Sequence, residues 1–258
     1  MTYIPFNDYG TEIAASRLSP AAGSAATVDP VLKFGRNEVL GTTLADIWDG
    51  TGLWPESVVT QTYNIASTAA ADKGTAIAGT GARTIQVYGL DNSGNAATEI
   101  AILNGTTNVT TSNSYSILFR GIVRSAGTGG ENAGNITATG TSDSLMTMQI
   151  SNNGVIGYNQ TLMAVYRVPT GRTGYIYQLY GGVQKKTTAV VDLFLRVKPA
   201  GEVWQTKFTA GVSTSGSSHL GHPTPVRMKV EAGSLVKMSA ISSAGSTDAY
   251  AGFDLALE

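Results

Sequence analysis

From residue 57 onward, apolar and polar residues alternate with the two-residue period of a half-buried strand, and no stretch between turns carries the wider spacing of an amphipathic helix. A chain patterned this way has one apolar face per strand to hide, so its strands must pack face to face as sandwiches or rolled sheets. The clearest case is 190–197, where Val191, Leu193, Leu195 and Val197 face one way and Asp192, Phe194 and Arg196 the other. Strands are predicted at 57–65, 83–89, 97–103, 115–125, 134–139 and 144–150, and in a second set from about 160, including 190–197, 202–209, 226–230, 235–241 and 249–257. Turn chemistry punctuates them: Asp91-Asn92-Ser93-Gly94-Asn95, the Gly-rich run 127–134 and Lys198-Pro199-Ala200-Gly201. Asn152-Asn153-Gly154 divides the two sets. The expected fold is all-β: an extended N-terminal docking arm over 1–35, then two antiparallel β-sandwich or jelly-roll-like domains over 36–152 and 153–258.

The arm is expected because residues 1–35 lack a sustained period, carry Pro5, Pro20 and Pro30, and include the small-residue run 21–27. Such a segment cannot bury enough apolar surface to fold by itself, although 12–18 has the makings of a helical turn. Composition narrows the role. The 258 residues contain no cysteine, which excludes disulfides and thiolate metal sites. Only 14% are charged, against roughly 25% in an average domain. A surface of Gly, Ser, Thr and Asn suits a subunit covered by neighbours, or an outward-facing β surface, better than a free monomer. The net charge of −1 gives no bulk attraction to nucleic acid or anionic lipid. No apolar run approaches the roughly 18 residues of a membrane span, and the N-terminus lacks the pattern of a signal peptide, so synthesis and use without Sec export are expected. The sequons at Asn104, Asn108, Asn135 and Asn159 then read as chance.

Residues that could carry chemistry are sparse. Trp48 and Trp54 sit in a Gly- and Pro-broken stretch, either as anchors pinning a loop to the core or as a ligand-stacking pair; anchoring is preferred. His219 and His222 could chelate a metal only if their loop curled and other ligands joined, so a turn or subunit contact is preferred. Asp46, Asp49 and Glu231 read as solvated or turn-forming carboxylates rather than a glycosidase pair. Tyr175, Tyr177 and Tyr180 read as half core and half inter-subunit face rather than a sugar platform. The loop 127–134 lacks the helix that a phosphate cradle needs, Asp91–Asn95 lacks the closing Glu of a calcium loop, and Lys185-Lys186 stands without a basic stripe. No catalytic residue, metal or cofactor is expected, and no nucleic-acid or membrane partner.

Gly35-Arg36-Asn37, the run Ile47–Trp54, Gly81–Asp91 and Leu103-Asn104-Gly105 resemble structural proteins of tailed bacteriophages. So do Asn159–Tyr166, Val168-Pro169 and Ala251–Leu255, and the resemblance covers most of 35–258. It implies a non-enzymatic virion protein, at the capsid surface or at the neck or tail. The preferred station is a capsid decoration or cement protein that binds the assembled major capsid protein and associates with itself, as a homotrimer. The alternative is a neck, collar or tail component for fibre anchoring or host adsorption. Trp48, Trp54, Tyr175, Tyr177, His219 and His222 are the expected interface residues.

Overall fold

The computed structural model describes residues 29–75, 77–184, 188–215 and 219–258. The part of the expected arm that precedes Asp29, with its helical turn, and the Lys185-Lys186 pair lie outside the described residues. The first half of the chain supplies β1 (Asp29–Leu40), β2 (Ala45–Asp46), β3 (Tyr63–Ser67), β4 (Ala82–Leu90), β5 (Ala96–Ile102), β6 (Val109–Thr110), β7 (Ile117–Ala126), β8 (Ile136–Gly140) and β9 (Met146–Ile150). The second half supplies β10 (Val165–Arg167), β11 (Gly174–Gln184), β12 (Val190–Lys198), β13 (Gln205–Ser213), β14 (His219–Val230), β15 (Leu235–Ser242) and β16 (Thr247–Leu257). The fold is all-β, and the ladders between these strands are antiparallel.

One sandwich packs the sheet β1-β16-β11-β14 on the sheet β10-β15-β12-β13, which β2 joins by pairing with β15. Its core holds Ile176, Leu179, Val191, Leu193, Leu195, Met238, Phe253 and Leu255, all within 1% of full burial. The alternating sets at 191–197 and 249–257 thus face inward as their period requires. The other sandwich packs β6-β3-β8-β9 against β5-β4-β7 around Tyr63, Ile65, Ile85, Val87, Leu118, Ile136 and Met148. Met163, Val165 and Leu235 from the second half also enter this core, and Phe119 packs against both cores.

The sandwiches exchange chain. β1 begins at Asp29, within the span expected to be arm, and runs along β16 as an edge strand of the far sandwich. Its alternation is real but hidden, because its inward positions are Lys33, Gly35 and Asn37. Gly35 is required there: a Cβ would lie 2.2 Å from the Ile47 carbonyl oxygen and 2.6 Å from the Ala164 nitrogen. Asn37 donates its Nδ2 to the Asp46 carbonyl at 3.1 Å. The guanidinium of Arg36 grips both carboxylate oxygens of Asp248 on β16.

The residues after β1 are wedged between elements of the second half. Ile47 donates its N–H to the Met238 carbonyl at 2.9 Å and accepts from Ala164 N–H at 3.0 Å. Asp46, fully buried, accepts from Lys237 Nζ at 2.7 Å, Ser239 Oγ at 2.5 Å and the Trp54 N–H at 2.7 Å. Lys237 lies over the Trp204 ring, 4.3 Å from its centroid. The carboxylate expected to be solvated is therefore a buried ion partner, because the cation that drew it in lies 191 residues away along the chain.

Removing one member of a buried pair strands the other charge. Asp46→Asn is expected to cost about 3–5 kcal/mol in urea unfolding at neutral pH, while the double variant Asp46→Leu with Lys237→Met recovers part of that loss. A single-variant cost within the measurement error would show that the pair does not hold the sandwiches together.

Candidate functional site

The six expected interface residues fall in separate places. Trp48 and Trp54 are 2% and 4% exposed inside this chain. The Trp48 Nε1 donates to the Gly52 carbonyl at 3.2 Å, and the Trp54 Nε1 donates to the Thr147 carbonyl at 2.9 Å. The loop between them is drawn tightly over the first ring: a Cβ on Gly50 would lie 2.1 Å from Trp48 Cη2, and Thr51 and Gly52 both have positive φ. Both rings are consumed in holding this loop, and neither is presented to a partner. Tyr175 and Tyr177 are half-buried on β11 around the core residue Ile176, with Tyr177 in the β-bulge that follows it. The third tyrosine of that set, Tyr180, donates its hydroxyl to the Lys33 carbonyl at 3.2 Å.

His219 and His222 lie in strand β14, not in a turn. Pro223 and Pro225 are tolerated because β14 is an edge strand, where a missing N–H breaks no second ladder. Three residues apart on a strand, the two rings point to opposite faces and cannot share a metal. His219 Nδ1 lies 3.1 Å from the Tyr250 hydroxyl, whereas the His222 ring stacks on Phe208 at 4.8 Å between centroids. Among the described residues no three His, Cys, Asp or Glu side chains gather as a metal site. Glu231 is exposed at its turn and pairs with Lys229 at 2.9 Å.

A cleft of about 370 Å³, to which no sequence pattern points, lies where the sandwiches meet. One wall is residues 30–34 of β1; the other is the outer face of β4 and β7, with Tyr88, Arg120 and Ile122, closed by Phe119 and Tyr166. The Phe119 and Tyr166 rings meet edge to face at 4.8 Å. Lys33 is 3% exposed, donates its Nζ to the Phe119 carbonyl and lies 5.5 Å from the centroid of that ring. Burial, and then the nearby Arg120, hold its amine well below the usual lysine range. Arg120 donates to the Leu32 carbonyl at 3.4 Å. The lining contains two basic residues, three aromatic rings besides Phe34, and no carboxylate. Such a lining offers aromatic surface beside the Arg120 guanidinium, while the Lys33 amine is already taken by the Phe119 carbonyl. A buried basic residue on an edge strand leaves no mark in the hydrophobic pattern, and the residues of the two walls are separated by about fifty to ninety positions, so no local motif announces the cleft.

Asp49, in the loop that Trp48 anchors, titrates in an accessible range. Burial pushes its carboxyl up to about 7, although the Leu162 N–H donates to it at 3.2 Å and opposes the shift. The folded state therefore holds a proton that the unfolded state releases near pH 4, and stability falls as pH rises from about 4 to about 7. Asp49→Asn is expected to flatten this part of the pH–stability curve; thermal melting of both proteins across that range would reveal equal slopes if the carboxyl has its ordinary affinity.

Comparison with known proteins adds little to this geometry. No family model matches the chain, and no curated protein does. Among solved structures, one of the infectious bursal disease virus Gx strain aligns over 90% of this chain and 72% of that chain at 9% identity with a TM-score of 0.22. A VP2 subviral particle of the same virus aligns over 95% of this chain and 76% of that chain at 11% identity with a TM-score of 0.18. TM-scores this low establish neither a shared fold nor a shared role.

Proposed function

We propose that this chain is a structural subunit of a virus particle, and within that class a capsid decoration protein that binds the assembled shell and associates with itself as a homotrimer. The observation that carries the reading is an unpartnered apolar edge. Strand β5 pairs only with β4 among the described strands, yet it exposes Ile100 at 60% and Ile102 at 52%. An open edge with apolar side chains invites pairing or aggregation unless a neighbour covers it. The low charge of the surface and the resemblance of residues 35–258 to tailed-phage structural proteins point the same way. Stabilisation then works by mass action: a subunit that binds only the assembled lattice shifts the equilibrium away from ruptured states.

Quantitative mass spectrometry of purified particles tests this. Copies in proportion to the shell lattice, with bare particles that rupture at lower temperature but adsorb to cells normally, are the expected result. A handful of copies per particle, with bare particles of full thermal stability that fail to adsorb, would replace decoration by a neck or tail role. Absence from particles would remove the virion reading altogether.

A further inference from the structure

Among the described residues, five buried side-chain atoms have no hydrogen-bond partner: the Tyr63 hydroxyl, Thr147 Oγ1, Asp143 Oδ2, Arg167 Nε and Arg172 Nε. Four of the five belong to residues that act on one another around the Tyr63 hydroxyl. Burial pushes the Tyr63 phenol up. The Thr147, Ser57 and Gln61 side chains lie close enough to oppose that rise without closing a hydrogen bond, and the Asp143 charge adds to it. The Arg167 guanidinium lies within electrostatic reach of the same phenol. Arg172 Nε belongs instead to the side chain that pairs with Asp29.

The fold turns these groups inward. Tyr63 opens β3 and is fully buried in the first sandwich. In β9 a bulge interrupts the ladder: Met148 faces Ala138 and Met146 faces Thr139, so Thr147 has no partner across the strand. Thr147 and Met148 are both buried as a result, which gives the core a hydroxyl where strict alternation would have sent it outward. Asp143 lies in the turn between β8 and β9, where its Oδ1 accepts from the Leu145 N–H at 3.0 Å and Oδ2 is left over. Ser57 and Gln61, both buried, are committed elsewhere: Gln61 Nε2 donates to Ser57 Oγ at 3.1 Å, and Gln61 Oε1 accepts from the Ser142 N–H at 2.6 Å. Arg167 arrives from β10 of the second half, with a terminal nitrogen 3.8 Å from Glu56.

The chemistry of the four groups selects a ligand. A carboxylate oxygen only accepts, a guanidinium Nε–H only donates, and the two hydroxyls do either. A metal cation would take no proton from Arg167 and would meet its charge. An anion would give no proton to Asp143 and would meet its charge. Water donates twice and accepts twice, and a buried water characteristically satisfies polar groups that the chain itself does not pair. We infer that a buried water bridges the Tyr63 hydroxyl to Thr147 Oγ1 and Asp143 Oδ2, with Arg167 Nε–H donating into the same hydrogen-bonded group. That water fastens the β8–β9 turn to β3 and brings β10 of the second half into the network. The assignment is independent of the virion reading.

A high-resolution crystal structure of the full-length wild-type protein tests it. Water density at hydrogen-bond distance, roughly 2.5–3.2 Å, from all three oxygens is the expected result. A Tyr63 hydroxyl bonded directly to Thr147 or Asp143, with no water between them, would overturn the site. In solution, magnetic relaxation dispersion of isotopically labelled water is expected to report a long-lived water in the wild type and in Thr147→Ser, and its loss in the double variant Tyr63→Phe with Thr147→Val. Equal dispersion in the wild type and a folded double variant would also overturn the site; the crystal structure decides if that variant fails to fold. Melting in sodium, calcium and choline chloride at equal ionic strength is expected to coincide. A rise in sodium or calcium that Tyr63→Phe abolishes would replace the water by a cation.

Discussion

The carboxylate of Asp46 is the point on which the two sandwiches depend. Its oxygens gather the Lys237 amine and the Ser239 hydroxyl of β15 together with the Trp54 amide of the loop that serves the other core. A buried charge satisfied from both bodies makes their relative placement a condition of its own solvation. The neighbouring contacts follow the same logic. Ile47 exchanges backbone hydrogen bonds with Met238 and Ala164, Gly35 lets β1 close on the Ile47 carbonyl, and the Trp48 ring fixes the loop that returns the chain to the first sandwich. A second buried carboxylate, Asp72, plays a local counterpart by accepting from Ser67 Oγ and the amides of Ala82, Ala133 and Gly134, so that the Gly-rich loop is ordered without a helix.

How far the sequence revealed this depended on whether a strand buried apolar side chains. β12 and β16 do, and their alternation named their inward faces residue by residue. β1 buries Lys33, Gly35 and Asn37, so a strand as long as any in the molecule gave no periodic signal and its first half read as arm. β14 extends across two prolines because only one of its edges is paired, and the prolines made the segment around His219 and His222 look like a turn. The carboxylates at 46 and 49 looked solvated because burial of a charge is decided by partners far along the chain. The cleft was invisible for a related reason: its walls are assembled from β1, β4, β7 and β10, and no local pattern reports that assembly.

The same separation shapes the electrostatics. Where an acid and a base are both buried, as at Asp46 and Lys237, the structure gains a lock. Where a base is buried without an acid, as at Lys33, a backbone carbonyl takes the amine and burial holds it well below the usual lysine range. The two situations use similar residues on similar strands, and what differs is whether the complementary charge belongs to the folded body. Apolar surface divides in the same way: most is closed within the two cores, while the edge at β5 leaves Ile100 and Ile102 outside.

The position of β16 in its sheet has a consequence for synthesis. It lies between β1 and β11, and its Asp248 is gripped by an arginine 212 residues earlier in the chain. As the chain leaves the ribosome, β1 has no ladder to join until β16 follows, and β11 has neither of its neighbours until β14 and β16 appear. The strand made first in this sheet must therefore wait for the strand made last. During that interval the emerging chain presents an unpaired strand whose inward face is polar or glycine at three successive positions, a composition that lowers its tendency to join the wrong neighbour while it waits.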